Sequence, residues 1–591
     1  MSHTHNSVQS IEAVTQDTSC MVTLTIDPGN IPSFLAEACE HAQRGDHDAA
    51  RQLLTKERLS EISTLTPGSA RFVDAHSILG QTWKCLGCPN EAVESFEHVR
   101  TYRPDSILLI GLADTYKYGG RFSQARDCYR DLLEHLGDRP DISSSYAICL
   151  MATGGYQEGR AIFERLLNSG QITPEAHLSY LFSQYYCPGM DRGAFLAGYR
   201  AWAERHLSAI TTTRVYGNSP DPNRCLRIGY LSGDFRKHSV AFSFEPLLDG
   251  HNREQFKCFG YGHSEHQDDT TVRLIAKFDQ YRDVTGHSPS AIADSILHDR
   301  IDLLISLASH CHVRSMKTLA LRPAPIQIDI GSASSTGLSN VDYRITDALL
   351  DPPESQPFYT ETLIHIPNGY QPYRPPQNSP PVGPLPALQN GQITFGSFNS
   401  HKKITPQVVA CWSLILRQIP MSRLLLKSAG FIDPEICHRL LDAFSQEGIP
   451  RQRIRMAYRL PMREHLNLYN EIDIALDTFP YNGAATTLEA LWMGVPTVTI
   501  AGETLVARSG LTVLTYVGLS QLVGRDERHM AEIALGLAHN LPVLARLRAS
   551  LRGALLASPL CNVTQITTDV EAAYRKGWQR WCQTQDTGES L

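Results

Sequence analysis

In the first third of the chain, small and aromatic residues return at a fixed interval. Ala92, Ala125 and Gly159 stand 33 and 34 residues apart, each five positions after a glycine (Gly87, Gly120, Gly154) and four before an aromatic residue (Phe96, Tyr129, Phe163). Gly80, Ala113 and Ala147 keep the same step, with Trp83, Tyr116 and Leu150 three residues behind them. A period near 34 with this pattern is that of tetratricopeptide helix pairs, where a small side chain lets the paired helices approach. One pair cannot bury its apolar stripe alone, so neighbours must stack. The spacing therefore predicts an α-solenoid over residues 31–210, with a degenerate copy at Gly45, Ala50 and Leu54 and a last helical pair or cap at 175–206. Its groove is expected to hold a protein or peptide segment, although a short solenoid also serves as a plain spacer. The Ser-, Thr- and His-rich segment 1–30 reads as a disordered tail.

The remainder changes class. Tyr216-Gly-Asn-Ser-Pro-Asp-Pro breaks the helical pattern, as clustered Gly and Pro do. Beyond it, strand-like runs at 226–232, 256–261 and 301–307 alternate with helical segments such as 290–298. A Pro-rich stretch, 373–388, separates these from a second alternation with strands at 393–398, 422–427, 454–456, 472–477 and 497–500. Alternating strand and helix predicts parallel βαβ units. Two Rossmann-like lobes result, at 224–372 and 389–591, with a ligand expected in the cleft at the carboxyl ends of the strands. The length of 591 residues agrees, since about 150 residues per domain gives three or four domains.

Charge and composition narrow the partners. With 54 Lys+Arg against 61 Asp+Glu, a net charge of −7, the chain has no basic surplus for a phosphate backbone, so no nucleic-acid partner is expected. No stretch approaches the roughly 18 apolar residues of a membrane span, and the first residues lack a secretory pattern, which predicts a cytoplasmic protein. Among 14 cysteines only Cys85 and Cys88 form a CxxC, with no second pair to complete a zinc site. They read as small buried apolar residues, and no metal or cofactor is expected.

The strongest chemical signal runs from Asp477 to Thr499. A strand ending at Asp477 enters a small, hydroxyl-rich turn, and a helix starts near Thr486. Open amides at a helix start bind anions, and the Thr486 and Thr487 hydroxyls add donors for a phosphate. Glu489, one turn on, is placed to accept from a ribose hydroxyl. A nucleoside diphosphate would fit; equally, Thr486 caps the helix and Glu489 is a first-turn charge favoured by the dipole.

This stretch, followed by Gly502-Glu-Thr-Leu-Val-Ala-Arg, resembles the C-terminal catalytic lobe of the O-GlcNAc transferase/SPINDLY family. Tyr230-Leu-Ser-Gly-Asp-Phe-Arg-Lys-His-Ser-Val-Ala, Leu321-Arg-Pro-Ala-Pro-Ile-Gln, Thr336-Gly-Leu-Ser-Asn-Val-Asp-Tyr-Arg-Ile-Thr-Asp and Phe398-Asn-Ser-His-Lys-Lys-Ile-Thr-Pro resemble it in the same order. The similarity covers about residue 170 to the end. It implies a GT-B glycosyltransferase: two lobes, a nucleotide-sugar between them, and transfer of GlcNAc from UDP-GlcNAc, or of fucose from GDP-fucose in the SPINDLY branch, to protein Ser or Thr hydroxyls. It further implies an inverting, metal-independent reaction and a last helix, 570–581, crossing back onto the N-terminal lobe.

The resemblance also assigns residues. Lys403 matches the lysine of a Phe-Asn-x-x-x-Lys-Ile-x-Pro motif and is expected on the leaving diphosphate, with Lys402 the alternative by register. His465 matches a nucleotide-side histidine. Met462 falls where better-studied members carry a lysine, with Arg463 beside it. His238 matches a histidine proposed as catalytic; an imidazole there takes the acceptor's proton or orients the sugar. His310 stands where the family often has Gly-His-Thr, although Ser309 replaces the Gly.

Departures cluster at the sugar pocket. Residues 328–337 are one residue shorter than the family's loop and lack its Trp, Tyr and Pro, while Ala484 and Ala485 replace a His or Thr. These changes leave donor identity open. The alternatives are a GDP-fucose-dependent protein O-fucosyltransferase, a glycan or small-molecule glycosyltransferase of the same fold, and a non-catalytic repeat scaffold.

Overall fold

A computed structural model describes residues 31–587, apart from 44–45, 101, 103–105, 190, 211–213 and 265–266. The tail expected at 1–30 and Gly45 of the degenerate repeat lie outside the described residues. The chain forms two compact units: a helical one up to Ser179, with which Ile432–Ile436 also groups, and a second that begins at Tyr180.

The helical unit is built of antiparallel pairs, Ala70–Cys85 with Pro89–Arg100, Ser106–Tyr118 with Phe122–Leu136, and Pro140–Thr153 with Tyr156–Asn168. The repeat period has a visible physical cause. Gly87, Gly120 and Gly154 close the first helix of each pair with φ of +70°, +82° and +105°, a region that favours glycine. Ala92 and Ala125 are fully buried where the second helix meets the first. A Cβ on Gly80 would lie 2.8 Å from the Phe96 ring, and one on Gly159 would lie 2.7 Å from the Ala147 carbonyl oxygen. Larger side chains there would push the helices apart. Cys85 and Cys88 pack against the apolar cluster formed by Leu35, Ala38, Ala50 and Ile78.

The second unit holds two sheets. Strands β1 (Leu226–Ser232), β2 (Phe256–Gly262), β3 (Gln280–Asp283), β4 (Leu303–Leu307), β5 (Ile326–Ile330), β6 (Tyr343–Thr346) and β7 (Thr362–His365) form the first, in the order β3-β2-β1-β4-β5-β6-β7. Strands β8 (Thr394–Ser397), β9 (Arg423–Lys427), β10 (Ile454–Ala457), β11 (Ile474–Leu476), β12 (Thr497–Ile500) and β13 (Val523–Gly524) form the second, in the order β10-β9-β8-β11-β12-β13. Every pairing is parallel; Tyr230 stands opposite Gly260 on one side and Ile305 on the other, and Ala475 opposite Gly396 and Thr497. Because helices cover both faces, β4, β5 and β6 are buried at every residue, polar ones included: Ser306, Gln327, Asp329, Arg344 and Thr346 lie inside beside the aliphatic side chains. Both sheets reverse direction at their first strand, between β1 and β4 and between β8 and β11, and ligands of such sheets sit outside the strand ends at that point.

Residues 180–210, read from the sequence as the end of the solenoid, group with the second unit instead. Their large side chains are buried there: Tyr199 stacks on His310 with ring centres 3.7 Å apart, and the Tyr185 hydroxyl donates to the Ser334 hydroxyl at 3.0 Å. The last helix, Val563–Thr587, packs on the helix Ser239–Gly250 of the N-terminal lobe. Glu571 accepts from His251 Nδ1 at 2.9 Å and from the Asn252 amide at 2.8 Å, and Trp578 donates to the Asp221 carbonyl at 2.9 Å. Ile566, Val570, Tyr574 and Trp578 are completely buried on this helix. Among the described residues no helix is long and apolar enough to cross a membrane.

Candidate functional site

Most of the residues singled out from the sequence follow the carboxyl ends of the four strands that flank the two reversal points, β1, β4, β8 and β11; His465 lies in the helix Met462–Leu468 after the edge strand β10. On the C-terminal side, β8 runs into Asn399 and a short turn, His401–Lys403, while β11 ends at Asp477 ahead of the turn and the helix Ala485–Trp492. Asp477 is the hub. Its carboxylate accepts from the Gly483 amide at 2.7 Å, the Thr499 hydroxyl at 2.7 Å and the Asn399 amide at 3.1 Å. Three donors fix the loop that carries the helix start, even though burial pushes the Asp477 carboxyl above its usual range.

Lys403 reaches into this loop. Its Nζ donates to the Asn482 carbonyl at 2.7 Å and lies 3.8 Å from the centre of the Tyr481 ring. Burial lowers the ammonium to about 8, with Asp477 pulling the other way. These contacts turn the Lys403 side chain towards the loop 482–486. Beside it, no side chain caps the helix at Ala484, so its first amides stay open, as expected from the alanines at 484 and 485. Thr486 donates to Asn399 Oδ1 at 3.3 Å at the mouth of the helix. Thr487 differs from the sequence reading: it is 2% exposed and its hydroxyl donates to the Gly483 carbonyl at 2.9 Å, so it fastens the loop from within. An ammonium, open helix amides and a hydroxyl in one place suit an anion.

Glu489 and His465, read separately from the sequence, form a pair, with His465 Nε2 2.9 Å from Glu489 Oε2. The Tyr469 hydroxyl donates to the same carboxylate oxygen at 3.3 Å and lies 3.3 Å from the Thr486 carbonyl, tying this pair to the helix start. His465 is buried, and its Nδ1 has no hydrogen-bond partner. Such an atom is costly unless something polar meets it. Arg463 is exposed on the outer face, and Met462 packs into the apolar cluster around Leu466 and Tyr469.

On the N-terminal side, His238 opens the helix that follows β1. Its Nδ1 accepts from the Val240 amide at 3.4 Å and stands 3.6 Å from Asp234 Oδ2; burial lowers it from its usual range. His310 follows β4 in the turn Ser309–Cys311, beneath Tyr199. Burial lowers it to about 3, and neither ring nitrogen finds a partner of good geometry. The Ser309 hydroxyl donates to Asp329 at 2.7 Å and lies 2.7 Å from the Ser306 hydroxyl, whose proton it accepts.

Three groups of residues escaped the sequence reading. The first is an aromatic wall: Tyr186 stacks on Tyr481 at 5.6 Å, and Tyr185 meets it edge-on at 6.3 Å. Through Tyr185 and Tyr199 this wall joins His310 to Lys403. The second is the frame of the shortened 328–337 loop. Arg344, fully buried, donates to Asp329 at 2.6 Å and to the Ser332 carbonyl at 2.6 Å, and Glu361 accepts from the Ser335 hydroxyl and the Thr336 amide, both at 2.7 Å. An aspartate, Asp329, inside the otherwise aliphatic end of β5 was the available signal. The third is Asp234 with His312, 3.1 Å apart.

The family model described as Glycosyl transferase family 41 matches residues 211–371 and 385–570. A protein of Arabidopsis thaliana named probable UDP-N-acetylglucosamine–peptide N-acetylglucosaminyltransferase SPINDLY is 38% identical over 411 residues, 68% of this chain and 44% of the relative. A second Arabidopsis protein, named the probable transferase SEC, is 30% identical over 375 residues, 61% of this chain and 38% of the relative. The chain thus spans less than half the length of these curated relatives. Among solved structures, a mutant O-GlcNAc transferase from Thermobaculum terrenum superposes with a TM-score of 0.81 at 32% identity, covering 88% of this chain and all of that one. That match extends the likeness from the two lobes into the helical unit. On these findings the chain belongs to glycosyl transferase family 41.

Proposed function

We propose that the protein transfers a sugar, GlcNAc from UDP-GlcNAc in the first instance, to Ser or Thr hydroxyls of proteins. One observation carries the reading: a lysine with a lowered pKa sits against an aromatic ring beside an uncapped helix start, where the strand order reverses. A leaving diphosphate needs positive charge at that place. Lys403 and the amides near Thr486 supply it without a metal ion. Thr486 adds a hydroxyl, and the unpaired Nδ1 of His465 is free to meet the nucleotide. Glu489, held by His465 and Tyr469, accepts from the ribose. Thr487 contributes by holding the loop closed.

In the reaction the acceptor hydroxyl attacks the anomeric carbon from the face opposite the departing diphosphate, inverting its configuration. His310 and the serine-lined 328–337 loop border the sugar, and His238 meets the acceptor or the sugar from the N-terminal lobe. The helical unit presents the protein segment.

Calorimetric titration with UDP, UDP-GlcNAc, GDP and GDP-fucose, on the wild type and on Lys403→Ala, tests the reading. Selective binding of UDP-GlcNAc, weakened in the variant, is the expected outcome. Preference for GDP-fucose moves the donor to the fucosyl alternative that the altered 328–337 loop permits. No response to any of the four leaves the helical scaffold as the function.

A further inference from the structure

Two imidazoles share one carboxylate in the N-terminal lobe, and their hydrogen bonds give them opposite roles. Asp234, 2% exposed, presents Oδ2 at 3.1 Å from His312 Nε2 and 3.6 Å from His238 Nδ1, while Arg236 donates to Oδ1 at 3.3 Å. Burial raises the Asp234 carboxyl, but its bond to His312 and the Arg236 guanidinium outweigh this, so it is ionised at neutral pH. A carboxylate only accepts. His312 must therefore carry its proton on Nε2, which leaves the lone pair of Nδ1 available as a base. His238 has the reverse arrangement: its Nδ1 already accepts the Val240 amide, so in the neutral ring the proton sits on Nε2 and that nitrogen can only donate.

The surroundings fix the His312 ring. A Cβ on Gly233 would lie 2.7 Å from His312 Cε1 and 2.8 Å from His263 Cε1, so only glycine lets the rings come this close to the loop. His263 meets His312 edge-on at 5.1 Å, bonds the Ser315 hydroxyl at 2.9 Å, and is held neutral by burial. The titratable and charged groups gathered here are Asp234, Arg236 and His238 after β1, His263 after β2, and His310, Cys311 and Arg314 flanking His312 itself.

We propose that His312 is the proton acceptor of the transfer reaction, with Asp234 its positioning residue and His238 a hydrogen-bond donor; this rests on the glycosyltransferase reading above. As the acceptor oxygen bonds to the anomeric carbon, the bond from that carbon to the diphosphate oxygen breaks and its electron pair leaves with the nucleoside diphosphate. The hydroxyl proton passes to His312 Nδ1 and is released to water after the product departs. Asp234 stabilises the imidazolium that forms, as a carboxylate behind a histidine does.

The test uses the full chain with His312→Gln, His312→Ala, His238→Gln and Asp234→Asn, measuring donor affinity, kcat and its pH profile. Losing a general base costs about 100-fold or more, so His312→Gln should lower kcat by at least about that factor with donor affinity unchanged. Unchanged affinity also shows that the variant is folded. The acidic limb of the profile should vanish in His312→Gln and persist in His238→Gln, and added imidazole should restore part of the activity of His312→Ala. Asp234→Asn should resemble His312→Gln, with no further loss in the double variant. A His312→Gln enzyme with wild-type kcat and acidic limb overturns the assignment alone, whereas a wild type that binds no nucleotide-sugar overturns the glycosyltransferase reading with it.

Discussion

Replacing Lys403 by Met keeps the length of the side chain and removes its charge, which separates what the lysine does for the fold from what it does for the reaction. Its pKa falls from the usual 10.5 to about 8 on burial, and at about 1.4 kcal/mol per tenfold in proton affinity this sets about 3 kcal/mol against the charged form. The unfolded chain binds this proton more tightly. Stability is therefore reduced in full below pH 8 and recovers as pH rises from about 8 to 10.5. Met forgoes the hydrogen bond to Asn482 and the contact with Tyr481, worth about 1 kcal/mol each. At pH 7 the variant should thus gain about 1 kcal/mol, a rise in Tm of a few °C, shrinking by pH 10. Its kcat should fall about 100- to 1,000-fold, the loss expected when one stabiliser of the departing charge is removed. In the wild type kcat/KM should also decline as pH rises through about 8, a limb the variant lacks. Thermal unfolding at pH 7 and pH 10, with initial rates, reads both effects. A variant that melts several degrees lower and keeps its rate would refute the reasoning.

Other perturbations probe separate links. Trp578→Ala removes a fully buried ring stacked on Trp581 at 4.6 Å and should cost about 3–5 kcal/mol in denaturant unfolding; a loss under about 1 kcal/mol would mean that the last helix does not hold the lobes. Gly233→Ala drives a methyl into His312 and His263 and should lower kcat about 100-fold with donor affinity intact, a result contradicted by an unchanged rate. Glu489→Gln should weaken UDP binding about tenfold or more while sparing inorganic diphosphate; equal loss on both ligands would remove the ribose role.

Much of the architecture was legible because it is written in local spacing. The 34-residue period records a left-handed glycine at the end of one helix and a small residue on the next, as Gly120 and Ala125 show. The two alternating regions follow from parallel strands buried on both faces, and the loops after β8 and β11 were visible as motifs. What escaped depends on contacts between distant positions. Tyr185 and Tyr199 looked like solenoid residues until their partners, Ser334 and His310, were known. The inward turn of Thr487 depends on a carbonyl four residues back, at Gly483, and no spacing distinguishes it from Thr486. His312 sat two residues from a recognised histidine, yet its role is set by Asp234, 78 positions away. Sequence resemblance pointed to His238, as proton acceptor or as a group that orients the sugar, and could not show that its Nδ1 accepts from the Val240 amide.

The most direct measurement is transfer itself. Purified protein incubated with a Ser/Thr-containing peptide library and UDP-GlcNAc or GDP-fucose, with products resolved by mass spectrometry, should yield peptides carrying one added sugar at hydroxyl side chains. Lys403→Ala should lose that product. Donor bound but never consumed, or sugar released to water alone with no modified peptide, would contradict the account.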